Sequence, residues 1–210
     1  MSGGAFSQPA ATWDARFRAD GYLFGTEPNA WLRAKASIWS AGQRVLCVAD
    51  GEGRNSVWLA RQGLVVEAFD VSEVGVAKAR QLAIGAGVTV DHQVADCDQY
   101  AWPEAAFDGI AAIFIQFADP TQRARLFAAM VRSLKPGGTL LLHGYTPKQL
   151  DYRTGGPPLL SHLYTEALLR EAFADLTIEH LAAYEAEIDE GSGHRGRSAL
   201  IGLVARRPLP

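Results

Sequence analysis

Val45 to Gly63 reads VLCVADGEGRNSVWLARQG. The apolar run at its start is short and continuous, as a strand covered on both faces requires. A turn with two glycines, Gly51 and Gly53, follows, then a helix over 55–62 that Gly63 stops. Strand, glycine turn and helix in that order open folds that hold a nucleotide-like ligand on backbone amides. Glycine lets the chain come close, and the helix N-terminus adds partial positive charge. This turn is also acidic: Ala49 and Asp50 stand where a dinucleotide fingerprint carries more glycine.

Outward from this stretch the chain alternates. LVVEAFDV is a strand, and Ser72 caps a helix that runs to about residue 83, with Gly85 past its end. VTVDHQVAD reads as a strand, and FDGIAAIFIQF as a central, buried one. DPTQRARLFAAMVRSLKPGG has Asp119 as cap, Pro120 in the first turn and Pro-Gly-Gly as the expected stop. TLLLHGY is a strand, and Thr165 caps a further helix. LTIEHLAAYEAEI and RSALIGLVARRP then follow one another, joined by DEGSGHRG, which predicts an antiparallel hairpin. The expectation is an α/β, Rossmann-like sheet of seven strands with an antiparallel C-terminal hairpin and helices on both faces. It forms one domain over 1–210, with an aromatic, helical segment over 1–40 and the α/β core over 41–210. Within 1–40, residues 1–11 read as mobile, and EPNAWLRAKASIW as a helix capped near Asn29.

Three features fall at successive strand ends. The DGEG turn, Asp50 to Gly53, is the first. Asp70, 17 residues after Gly53, is the second, placed to accept hydrogen bonds from two ribose hydroxyls. ADCD, with Asp96 and Cys97, is the third; a carboxylate and an amide there suit an adenine edge. Each is common alone. Together they converge on one crevice, because the carboxyl ends of adjacent parallel strands do.

The order VLCVADGEGRN, VEAFDVS, VADCDQY, FDGIAAIFIQF and LKPGGTLLLHGY resembles the class I S-adenosylmethionine-dependent methyltransferases over nearly the whole chain. Within them, YLFGTEPNAWL, GEGRN, YRTGGPP and EGSGHRGRSALIGLVARRP resemble the tellurite-resistance type. The resemblance implies S-adenosyl-L-methionine as cofactor and a small-molecule methyl acceptor that is a soft or anionic nucleophile, such as a chalcogen oxyanion or a thiol. The alternative it leaves is a protein that binds the cofactor without catalysis. It implies that the N-terminal segment closes over the cofactor. The implied cofactor residues are Tyr22, Phe24, Gly25, Ala49, Asp50, Gly51, Gly53, Asn55, Asp70, Val71, Asp96, Cys97, Ile113 and Gln116. His194 and Arg195 are the implied acceptor-side, catalytic pair. The family's first motif has an acid within the strand and a glycine before the turn; here those places hold Cys47 and Ala49. Asp50, one residue on, is expected to take over the contact to the cofactor's ammonium.

The totals bound the partners. A net charge of −3 without a basic stripe argues against nucleic acid. Two distant cysteines argue against a disulfide framework and for a reducing, cytoplasmic setting. The opening residues lack the apolar stretch of a secretory signal, and no window is apolar and long enough to span a bilayer. The five histidines show no metal-ligand spacing, so no metal is expected. A monomer or a homodimer fits equally.

Overall fold

The computed structural model describes residues 8–191 and 193–210. Seven strands form one sheet in the order β3-β2-β1-β4-β5-β7-β6. They are β1 (Arg44–Val48), β2 (Val65–Asp70), β3 (Asp91–Val94), β4 (Phe107–Ile113), β5 (Leu134–Tyr145), β6 (Thr177–Glu190) and β7 (His194–Arg206). The first five run parallel; β7 is antiparallel to β5 and to β6. The order reverses at β1, between β2 and β4, and there the carboxyl ends open a crevice. The helices are α1 (Pro9–Phe17), α2 (Ala30–Lys35), α3 (Arg54–Arg61), α4 (Glu73–Ala86), α5 (Pro120–Ser133), α6 (Gln149–Tyr152) and α7 (Glu166–Ala172).

The central strands are buried on both faces. On one side Leu46, Val48, Phe69, Ile110 and Leu142 join Phe127 and Met130 of α5. On the other Val45, Cys47, Ala68 and Ala111 meet Leu59 of α3 and Leu32 of α2. Both cysteines are buried and free. The caps work as the residue types require. Asn29 Oδ1 accepts from Leu32 N, Ser72 Oγ from Gly75 N, Asp119 Oδ1 from Thr121 and Gln122 N, and Thr165 Oγ1 from Leu168 N.

Several expectations are corrected. Of the stretch read as mobile, residues 1–7 lie outside the described ones, but Pro9 starts a regular helix. Its Trp13 and Phe17 rings stack 5.4 Å apart, and Asp14 holds it to the start of α4 by accepting from Ser72 Oγ and Val74 N. The helix α4 runs past Gly85 and stops at Gly87, whose φ of +68° makes the left-handed cap. Strand β3 begins only at Asp91. Pro-Gly-Gly does not stop α5. That helix ends at Ser133, and Arg207 donates to the carbonyls of Val131, Arg132 and Leu134 at its end. Pro136 to Gly138 instead form an irregularity inside β5, where the register to β4 jumps between Phe107↔Leu134 and Gly109↔Thr139. The segment expected as a hairpin loop is mostly strand. Glu190 pairs with His194, so among the described residues only Gly191 and Gly193 fall between the two strands.

That pairing positions the site. The last residue of β7 level with β5 is Leu200, opposite Tyr145. His194 to Ala199 and their partners on β6 therefore project as a two-stranded ribbon beyond the carboxyl ends of the parallel strands.

Candidate functional site

A cavity of about 180 Å³ lies over those carboxyl ends, at the reversal of strand order. Its floor is the turn after β1. Ala49 there has φ of +48°, left-handed backbone on a residue with a Cβ, and Gly51 follows at +60°. Asp50 is half-buried, and its Oδ2 is shielded from solvent with no hydrogen-bond partner. Burial raises its carboxyl to about 7, and the Asp70 charge adds to the rise. A cation brought beside it would supply both missing charge and missing donor.

Asp70, at the end of β2, holds the neighbouring wall. One carboxylate oxygen accepts from Gly51 N at 2.8 Å and the other from Ser72 N at 2.9 Å, leaving lone pairs on both for hydroxyls. Burial pushes its carboxyl up to about 6 despite those two bonds. Asp70 thus also ties the turn after β1 to the cap of α4. It is not the bystander to folding that a strand-end Asp suggests. Beyond it, Val71, Ala95, Asp96, Cys97 and Gln122 line the far end of the cavity. Asp96 Oδ1 accepts from Asp98 N, and Gln122 Nε2 reaches Cys97 Sγ at 3.4 Å.

Aromatic side chains close the remaining sides. Trp13 and Phe17 come from α1, Phe24 from the segment before α2, and Phe114 and Phe117 from beyond β4. His194, at the tip of the ribbon, completes this wall, with ring centroids 4.5 Å from Phe24 and 4.4 Å from Phe114. Its Nδ1 is buried without a partner, and burial with the Arg54 charge nearby lowers its pKa to about 3. The imidazole is therefore neutral.

The lid is fastened by buried charges. Glu52 accepts from Leu23 N at 2.7 Å and from Lys78 Nζ at 3.0 Å, and Lys78 also donates to the Ala19 and Gly21 carbonyls. Arg54 and Glu190 form a buried ion pair at 2.7 Å. Glu190 further accepts from Asn29 Nδ2 and Ala30 N, which joins the ribbon, α2 and α3 at one point. Gly191 and Gly193 permit the closure, since a Cβ on either would lie within 2.4 Å of Leu23 or Phe24 atoms.

Of the residues singled out from sequence, Phe24, Ala49, Asp50, Gly51, Asn55, Asp70, Val71, Asp96, Cys97, Ile113 and His194 line the cavity. Five do not. Tyr22 donates to the Lys78 carbonyl, and Gly25 sits beside Gly191 in the lid seam. Gly53 serves packing: a Cβ there would meet Ala79 Cβ at 2.7 Å, so it sets the distance from α3 to α4. Gln116 is a buried bracket between the Tyr145 backbone and the His162 carbonyl. Arg195 is exposed and faces Asp189 at 3.4 Å, pointing away from the partner role given to it beside His194. Sequence reasoning missed Trp13, Phe17, Arg54, Phe114 and Glu190. The i, i+4 spacing of Trp13 and Phe17 was a legible sign; the positive φ of Phe114, +56°, was not.

Known proteins are similar to this chain in sequence and in fold. A family model described as a methyltransferase domain matches residues 45–138. A ubiquinone/menaquinone biosynthesis C-methyltransferase, UbiE, of Geobacter sulfurreducens is 29% identical over 154 residues, which is 70% of this chain and 57% of that one. The chain thus spans little more than half the length of that relative. TehB of Haemophilus influenzae superposes with a TM-score of 0.70 over 85% of this chain and 62% of its own, at 21% identity. The N-methyltransferase NodS of Bradyrhizobium japonicum, solved with S-adenosyl-L-homocysteine, superposes with a TM-score of 0.73 over 95% of this chain and 98% of its own, at 16% identity.

Proposed function

Because residues 45–138 match a family model described as a methyltransferase domain and the seven-stranded sheet superposes on methyltransferase structures, we propose that this chain transfers a methyl group from S-adenosylmethionine to a small, soft or anionic nucleophile. One observation carries the reading most: the unpartnered, buried Asp50 Oδ2 at the reversal of strand order, with Asp70 at the next strand end. A ligand bearing an ammonium and a ribose diol satisfies both.

When bound, S-adenosylmethionine supplies a methyl on a sulfonium, and its transfer is an in-line displacement that asks the protein for position and dryness. Asp50 would hold the ammonium, the amides of the turn the carboxylate, Asp70 the ribose hydroxyls, and Asp96 with the amide of Cys97 the adenine edge. Trp13, Phe17, Phe24 and Phe114 exclude water from the acceptor side. His194 packs against Phe24 and Phe114 and presents a neutral ring there. The acceptors consistent with the family resemblance are a thiol and a chalcogen oxyanion.

Titration calorimetry tests the cofactor. S-adenosylhomocysteine should bind, and NAD should bind at least tenfold more weakly. Tighter NAD binding would remove the reading. Turnover of methyl-labelled cofactor with thiols and oxyanions separates an enzyme from a non-catalytic binder, which would bind the cofactor and release no methylated product.

A further inference from the structure

We infer that the acceptor side of the cavity is built for an uncharged, apolar small molecule, a thiol rather than an oxyanion. This rests on the proposed cofactor site and goes beyond it by choosing between the acceptors that reading leaves open.

Charge decides it. Among the described residues, Arg54 is the one permanent cation lining the cavity, against the carboxylates Asp50, Asp70 and Asp96. Arg54 is not available to an anion. Glu190 holds it at 2.7 Å, both side chains are buried, and Asn29 and Ala30 fix the carboxylate from the other side. Arg195, which could have offered a second guanidinium, is exposed and outside. His194 is buried among rings and neutral, so it brings no positive charge either. An oxyanion entering here would lose its hydration and meet no unpaired cation in the lining, because Arg54 is paired and Arg16, which lies on the Trp13 ring, is not part of it; that is costly.

A cation fares no better. The aromatic faces that would attract one are already attended by arginines: Arg16 lies 4.3 Å over the Trp13 ring and 5.9 Å from the Phe24 ring centre, and Arg54 lies 6.0 Å from the latter. Those ring faces are already taken, and the proposed cofactor occupies the carboxylates Asp50, Asp70 and Asp96, so a second cation finds no free partner. What remains is ring surface from Phe24, Phe114 and His194, which suits an uncharged molecule lying against it.

The test uses probes of nearly one shape and three charges. Full-length protein is saturated with S-adenosylhomocysteine at pH 7 and titrated with benzyl mercaptan, benzoate and benzylamine, with selenite as an inorganic oxyanion. Benzyl mercaptan should bind at least tenfold more tightly than benzoate or benzylamine, and selenite should give no binding heat. Glu190→Gln keeps hydrogen-bonding groups but frees the Arg54 charge, and in a folded variant benzoate affinity should rise about tenfold. Selenite, benzoate or benzylamine binding as tightly as the mercaptan to the wild-type complex overturns the inference while leaving the cofactor reading intact. A folded Glu190→Gln with unchanged benzoate affinity overturns the masking of Arg54. Absence of S-adenosylhomocysteine binding overturns the cofactor reading, and this inference with it. The wild-type panel decides the matter even where Glu190→Gln fails to fold.

Discussion

Two neighbouring residues in the turn after β1 carry opposite kinds of tension. Ala49 holds a left-handed backbone that L-residues resist, and Asp50 holds a carboxyl that burial discourages from ionising. Ala49→Gly should stabilise the protein by about 1 kcal/mol, less what glycine adds to the freedom of the unfolded chain, as denaturant midpoints will show. The Asp50 carboxyl sits near 7, above its ordinary value, so below that pH it is protonated and cannot pair with a ligand cation. Affinity for S-adenosylhomocysteine should therefore be about tenfold weaker at pH 6 than at pH 8, with proton release on binding at the lower pH. Asp50→Asn should flatten that profile; a profile equally steep in the variant would assign the titration to another group. The acid one residue beyond the usual place was legible in the sequence. The strain at Ala49 was not, because nothing in a residue's name records its φ.

At the scale of elements, the lid is an assembly of α1, the segment before α2 and the β6–β7 ribbon, held by Glu52, Lys78, Arg54 and Glu190. Removing one member of a buried ion pair strands the other, so Glu190→Ala should cost about 3 kcal/mol in urea unfolding. Gly193→Ala should act differently. Its Cβ would fall 2.3 Å from Phe24 Cε1, displacing that ring from the cavity wall, so ligand affinity should drop more than stability does. Ligand affinity left at the wild-type level would place Phe24 outside the binding surface. The elements themselves were largely readable, since Asn29, Ser72, Asp119 and Thr165 each cap the helix they precede. Errors came where tertiary partners outvoted local signals. Pro136-Gly137-Gly138 looks like a helix stop, but β4 pairs with the residues on both sides of it. Glu190 and His194 look like loop residues, but they pair with each other and continue the ribbon. The contact of Glu190 with Asn29, 161 positions away, has no local trace.

Over the whole molecule, buried titratable groups pull the pH dependence of folding in two directions. Burial lowers His92 to about 4, and His143 and His194 to about 3. Depressed imidazoles support folding above about 6.5 and withdraw that support as pH falls below it, because the unfolded chain takes up the protons first. Asp50 and Asp70 are raised, so they support folding at low pH and lose that contribution as pH rises through about 6 and 7. The histidines outnumber the aspartates on the acid side, and on the alkaline side the aspartates are joined by Cys47 and Cys97, whose thiols burial pushes up. The ligand-free protein should be most stable near pH 6.5, with proton uptake on unfolding below it and release above; thermal melts across pH 4–9 will check both signs. The strand-end placement of Asp70 reads as a ligand role, and its hydrogen bonds to Gly51 and Ser72 give it a structural duty in this balance. The ribbon has a consequence for biosynthesis. Phe24 and Asn29 leave the ribosome long before Glu190, Gly193 and His194 do. A nascent chain can lay β1, β4 and β5 side by side while its crevice still lacks one wall. Tight retention of a ligand thus waits for synthesis to pass β7, and translation that halts before it yields a chain with the cavity's floor and no clasp.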